Sequence, residues 1–263
     1  MSNSKKFKAT GLLVWCLLCS MGFSGPVDDK LTSLLDKISE RMESFSDMKN
    51  WSAAVTSSSI KMDKHWKAKK KTVVEKIVTV KGEETEEEIL RAMEEKNGKT
   101  KDITRKVKAE IAIEKAKARQ RREKSRGKGD KEQGDGEFSL SSDDAFPFKA
   151  EKREEYDYSL LEDAVLDGRA VYVLDVHVKT PTDKKMEGSY FIDMETFDVL
   201  KADLEPSKKR KVLKRFRMEM FFQVLPGNYF VLKETRVRIH VGLVIKNIRM
   251  EMHEVYKDYK ILN

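Results

Sequence analysis

From Tyr156 to its end this chain alternates apolar and polar residues with a period of two. That pattern fits only strands with one buried and one solvated face. In Arg169–Thr180, Tyr172, Leu174, Val176 and Val178 share one side while Asp175 and His177 take the other. Met186–Asp193 sets Met186, Gly188, Tyr190 and Ile192 against Glu187, Ser189 and Asp193. Lys214–Leu225 sets Phe216, Met218, Met220, Phe222 and Val224 against Arg215, Arg217, Glu219 and Gln223. Turn signals at Asp167-Gly168, Pro181–Asp183, Glu205–Ser207 and Pro226–Asn228 separate the runs. The expected product is a long antiparallel sheet with one apolar face, which needs a cover.

Candidate covers lie upstream. Leu31, Leu34, Leu35, Ile38, Met42 and Phe45 recur at three- and four-residue spacing, which predicts an amphipathic helix over about 28–48. Strands are expected over Trp51–Met62 and over Thr72–Lys81, the latter rich in β-branched residues. A second covering helix is expected over Glu86–Asn97, with Thr85 and Glu88 as a capping box and Asn97-Gly98 as its end. Residues 100–124 read as a helix with a thin stripe of Ile103, Val107 and Ile111, and the Gly-rich run 125–137 as a mobile loop. Together, about 100–140 reads as a charged insertion in a domain spanning 25–263.

The first 24 residues carry a different signal. Lys5, Lys6 and Lys8 precede the apolar run Gly11–Cys19, and small residues follow at Ser20, Gly22, Ser24 and Gly25. This is the pattern of a cleaved secretory signal peptide, and the run is shorter than the roughly 20 residues a membrane helix needs. Trp15 precedes Cys16 and Leu18 precedes Cys19, so neither cysteine sits in a lipidation motif. Both cysteines fall inside this segment, so the mature chain has no disulfides, thiol nucleophiles or Cys-bound metals. The formal charge of +8 falls to +5 without the three leader lysines, a mild excess that suits anionic head groups better than nucleic acid.

Catalytic patterns are sparse. The four histidines show no metal-binding spacing, and no Gly-x-Ser-x-Gly accompanies Asp175 and His177, which read as a solvated surface pair. The basic run Lys115–Arg126 lacks interleaved aromatics and reads first as a solvated helix, with an anionic membrane surface as the main functional competitor. Arg-Met-Glu-Met occurs twice, at Arg217–Met220 and Arg249–Met252. Methionines pointing to one face suit either a packed core or a pliable surface for apolar ligands.

The N-terminal helix, the strands and the stretches Gly168–Val176, Tyr190–Lys201 and Met252–Tyr259 resemble the outer-membrane lipoprotein-sorting superfamily, the LolA/LolB-like periplasmic carriers. The resemblance implies an α+β fold, a strongly curved antiparallel sheet forming an incomplete β-barrel covered by amphipathic helices. It also implies a monomeric periplasmic carrier that binds lipid or lipoprotein acyl chains and delivers them toward the outer membrane. An inner-membrane donor complex or an anionic membrane surface would be its partner, and no nucleic acid, catalytic residue, cofactor or metal is expected. The candidate lining is Leu35, Ile38 and Met42 from the helix, with Tyr172, Leu174, Tyr190, Ile192, Phe216, Met218, Met220, Phe222, Met250 and Met252 from the sheet. The alternative is a sensor or protein-interaction module of the same fold whose inward face is solid core.

Overall fold

A computed structural model describes residues 26–82, 84–125, 146–182, 185–208, 212–242 and 247–262. The expected signal peptide and the Gly-rich run 126–137 lie outside the described residues.

Helix α1 (Pro26–Glu43) is followed by β1 (Asn50–Met62), β2 (Ala68–Lys81), β3 (Glu84–Lys96), β4 (Lys99–Asp102) and α2 (Thr104–Ser125). A short 3-10 turn at Ala150–Glu155 leads into β5 (Tyr156–Leu160), β6 (Ala164–Leu166), β7 (Arg169–Val178) and β8 (Met186–Asp193). The chain continues through β9 (Val199–Pro206), β10 (Leu213–Leu225), β11 (Tyr229–Gly242) and β12 (Asn247–Ile261). All strands join one unclosed, curved antiparallel sheet in the order β4-β3-β2-β1-β12-β11-β10-β9-β8-β7-β5, with β6 also on β7. Chain order and space order therefore agree almost everywhere. The exception is the seam where β1 pairs with β12, from Trp51 opposite Ile261 to Met62 opposite Arg249.

The alternation read from the sequence places the core. Leu174, Val176 and Val178 of β7, Met186, Tyr190 and Ile192 of β8, Ala202 and Leu204 of β9, and Met218 and Phe222 of β10 are buried together on one face. Helix α1 lays Leu34, Leu35 and Ile38 on that face. It starts at Pro26, whose fixed φ suits a first helical turn, and ends five residues short of the expected boundary. Phe45 lies beyond the helix and stacks on Phe230 with ring centroids 4.8 Å apart.

The expected helix at Glu86–Asn97 is instead strand β3. It pairs with β2 from Lys70 opposite Lys96 to Lys81 opposite Glu84, and its acids meet the lysines of β2, as Glu87 does with Lys76 and Glu94 with Lys70. Partner strand and cross-strand charge outweigh the helical propensity of a Glu-, Leu- and Met-rich segment. The misleading three-residue spacing has a local cause. The register slips between Glu75 opposite Arg91 and Lys76 opposite Ile89, so Leu90 is an extra residue and Ile89 and Ala92 are both buried. Asn97 and Gly98, read as a helix end, have φ of 53° and 72° and form the two-residue turn into β4. The charged helix expected over 100–124 is present as α2 only from Thr104, because Lys99–Asp102 pairs with β3 as β4; Ile103 before the helix and Val107 and Ile111 within it are half-buried, and Ile113 is exposed.

Candidate functional site

The apolar face collects nearly every lining residue named from the sequence. Leu35, Ile38, Leu174, Tyr190, Ile192, Met218 and Phe222 are buried in one cluster, and Met42, Tyr172, Phe216, Met220 and Met252 pack half-buried against it. Met250 lies at the margin, where Ser59 Oγ donates to its Sδ at 3.4 Å. Beyond it the same face turns polar across β12, β1, β2 and β3. Lys76 Nζ sits 2.6 Å from Glu87 and 3.8 Å from Glu254, and Lys70 pairs with Glu94. The face is thus apolar over β7–β10, and over β1–β3 it mixes these ion pairs with buried Val55, Val78, Ile89 and Ala92. Burial pushes the Tyr190 hydroxyl far above its ordinary pKa, so the core carries no charge there.

Sequence reasoning missed what fills this face. Phe146, Pro147 and Phe148, an irregular segment between α2 and β5, are buried against the sheet, with Phe148 at 0% exposure. Phe148 meets Tyr190 edge-on at 4.9 Å, and Phe146 meets Phe222 at 5.2 Å and Phe230 at 5.5 Å. This segment takes the place expected for a second helix. Its signal was three consecutive large apolar residues ending a polar, Gly-rich stretch.

Two arginines clamp the cover. Arg153 donates from Nε to Phe148 O at 3.1 Å, from Nη2 to Leu35 O at 2.8 Å and from Nη1 to Asp36 at 2.5 Å, which ties the Phe-Pro-Phe segment to α1. The Tyr158 hydroxyl donates to Pro147 O on the other side. Arg41 donates to Asp198 at 2.7 Å and to Asn228 Oδ1 at 2.9 Å, which holds the end of α1 against the β8–β9 and β10–β11 turns. Each clamp satisfies several acceptors with one planar guanidinium.

The Asp175–His177 pair stands on the other face, His177 Nε2 lying 2.9 Å from Asp175 and the imidazole 59% exposed. Ser189 Oγ donates to Asp175 at 2.9 Å. The carboxylate therefore sits between hydroxyl and imidazole, an order in which the imidazole has no contact with the hydroxyl proton. Among the described residues, no three His, Asp or Glu side chains are arranged to hold a metal ion. No described helix is long and apolar enough to cross a membrane.

No family model and no curated protein matches the chain. Solved structures similar to it include a LolA superfamily protein from Nitrosomonas europaea, 15% identical over 88% of this chain and 93% of that one, with a TM-score of 0.36. A putative outer membrane lipoprotein-sorting protein domain from Vibrio parahaemolyticus is 12% identical over 87% and 92%, with a TM-score of 0.37. MucB from the Pseudomonas aeruginosa MucA/MucB complex is 9% identical over 89% and 99%, with a TM-score of 0.26. The superfamily that the sequence resembles is thus among the names these similar structures carry.

Proposed function

We propose that this chain is an exported, non-enzymatic carrier that takes an acyl chain of a lipid or lipoprotein onto the apolar face beneath α1 and passes it on toward the outer membrane. One observation supports the reading above others. Helix α1 and the three-residue loop segment Phe146–Phe148 cover that face, where a stable core would more commonly use a second regular layer. Phe146 and Phe148 then occupy in the empty protein the space that an acyl chain takes in the loaded one. Each methylene that replaces them in the apolar site gains about 0.8 kcal/mol, so a chain of a few carbons offsets the loss of one phenyl contact. The ion-paired part of the face, around Lys76 and Lys70, suits the polar end of the ligand.

A second reading draws on the same segment. Phe148 at 0% exposure is also what a finished core looks like, and it favours an interaction module that uses its surface and not its interior.

Uptake of a fluorescent fatty acid separates the two. A carrier binds the probe, and Phe148→Ala binds it more tightly while losing about 3–5 kcal/mol of stability. Met220→Glu abolishes uptake, because an unpaired charge opposes both ligand and cover. Met220→Leu and the exposed Lys257→Glu leave it within twofold. No uptake by either the wild type or Phe148→Ala overturns the carrier and leaves the interaction module.

A further inference from the structure

The opposite face of the sheet holds a second arrangement, built from cations. Two adjacent cross-strand rows run over β12, β11 and β10. One is Arg249, His240, Arg215 and the other Glu251, Arg238, Arg217, continued through Ile60 on β1 to Lys71 on β2. A surface depression of about 470 Å³ lies over these strands, lined by Lys71, Arg217, Arg236 and Arg238 with the acids Glu219 and Glu251 among them. Trp66, from the β1–β2 turn, lies beside them. Its ring centroid is 6.0 Å from the Arg215 guanidinium and 5.8 Å from that of Arg238, and it meets His240 edge-on at 6.1 Å. To reach this position Trp66 adopts a φ of 60°, an unfavourable conformation for a bulky residue. Asp63 supports the turn by accepting from the His65 and Lys67 backbone N–H groups at 2.8 and 2.9 Å.

The charges are only partly answered from within. Arg217 and Arg238 face each other directly across the ladder, an arrangement that destabilises a sheet unless anions intervene. Asp203 accepts from Arg217 at 2.8 Å and Glu251 from Arg238 at 2.7 Å. Among the described residues Arg215 and Lys71 have no carboxylate within 4 Å. The Arg249 Nε is buried without an acceptor. A buried guanidinium donor with no partner is a rare and costly state that an oxyanion relieves.

We propose that this face binds a phosphate-bearing lipid headgroup at a membrane surface. The cations spread over three neighbouring strands, with Lys71 two strands further on, and do not converge in a closed cleft, which suits headgroups presented side by side. Trp66 adds an amphipathic ring of the kind that settles at the boundary between water and acyl chains. The exposed Lys64 and Lys67 of the same turn and Lys69 at the start of β2 extend the positive field toward that boundary. The site lies on the other side of the sheet from the acyl site and does not depend on it.

Pelleting of the full chain with vesicles tests this. Vesicles of phosphatidylglycerol in phosphatidylcholine carry the protein down, in a manner that weakens with salt, and pure phosphatidylcholine does not. Arg215→Ser with Arg238→Ser weakens binding at least tenfold while fatty-acid uptake stays unchanged. Lys101→Ser with Lys108→Ser removes the same charge from exposed positions of β4 and α2 and changes binding less than twofold. If circular dichroism shows the arginine pair variant unfolded, the single Arg215→Gln, exposed and without a carboxylate partner, carries the test with a loss of about threefold. Equal losses in the two double variants overturn the site in favour of general charge attraction. Binding of glycerol phosphate without vesicle binding overturns the lipid source. Tighter binding to polyglutamate than to vesicles assigns the face to an acidic peptide instead.

Discussion

Asp193 shows how a single buried acid ties local geometry to solution behaviour. Desolvation alone would raise its pKa. The Thr196 and Glu195 backbone N–H groups at 3.0 and 2.9 Å and the Arg169 guanidinium at 3.0 Å outweigh it, so the folded carboxyl titrates below the ordinary range. A depressed folded pKa contributes stability that is present above the unfolded value and is lost as pH falls through the folded one. Asp193→Asn is therefore expected to cost about 1.5–3 kcal/mol at pH 7, and to flatten the loss of thermal stability that the wild type shows below pH 4. Melting curves across pH 2.5–7 read both effects, and parallel curves for the two proteins would remove Asp193 from that role. Nothing in the sequence distinguished this acid from Asp175 or Asp203 on the same face. Its burial arises from the turn Met194–Phe197, which closes over it, and such tertiary enclosure leaves no trace in residue spacing.

At the level of elements, legibility followed the number of repeats in a pattern. Strands β7, β8 and β10 were readable because each shows four or five alternating apolar positions, and α1 because five apolar residues share one face. Strand β3 was not, since a single bulge at Leu90 converts period two into an apparent period of three over the few apolar residues available. The Phe146–Phe148 segment had no period at all, and only its position against Tyr190 reveals it as part of the core. The same segment depends on one residue for its attachment. Arg153→Ala removes three hydrogen bonds that join Phe148, Leu35 and Asp36, so α1 and residues 146–148 should exchange their amide hydrogens at least tenfold faster while β8–β11 are unchanged. Acceleration spread evenly over the sheet would mean that cover and sheet open only together.

Across the whole molecule, the curved antiparallel sheet and its covering helix were legible, and the seam was not. Pairing of β1 with β12 joins residues about 200 positions apart, and no short-range pattern announces so distant a partner. The seam has a temporal meaning. A polypeptide emerges from the ribosome in order, and β5–β11 can zip as successive neighbours while β1–β4 have no strand to dock on until Asn247–Ile261 is made. The first hairpins synthesised are thus the last to be secured, and they wait with a bare edge for almost the entire time of translation. A chain stopped after Gly242 should keep a protease-resistant fragment covering β7–β11 and lose protection of β1–β3. If β1–β3 stay protected, the early hairpins hold together without the closing strand. Through that wait the bare edge is β1 itself, whose only charged residue is Lys61, so little keeps a half-made sheet from pairing with another of its kind.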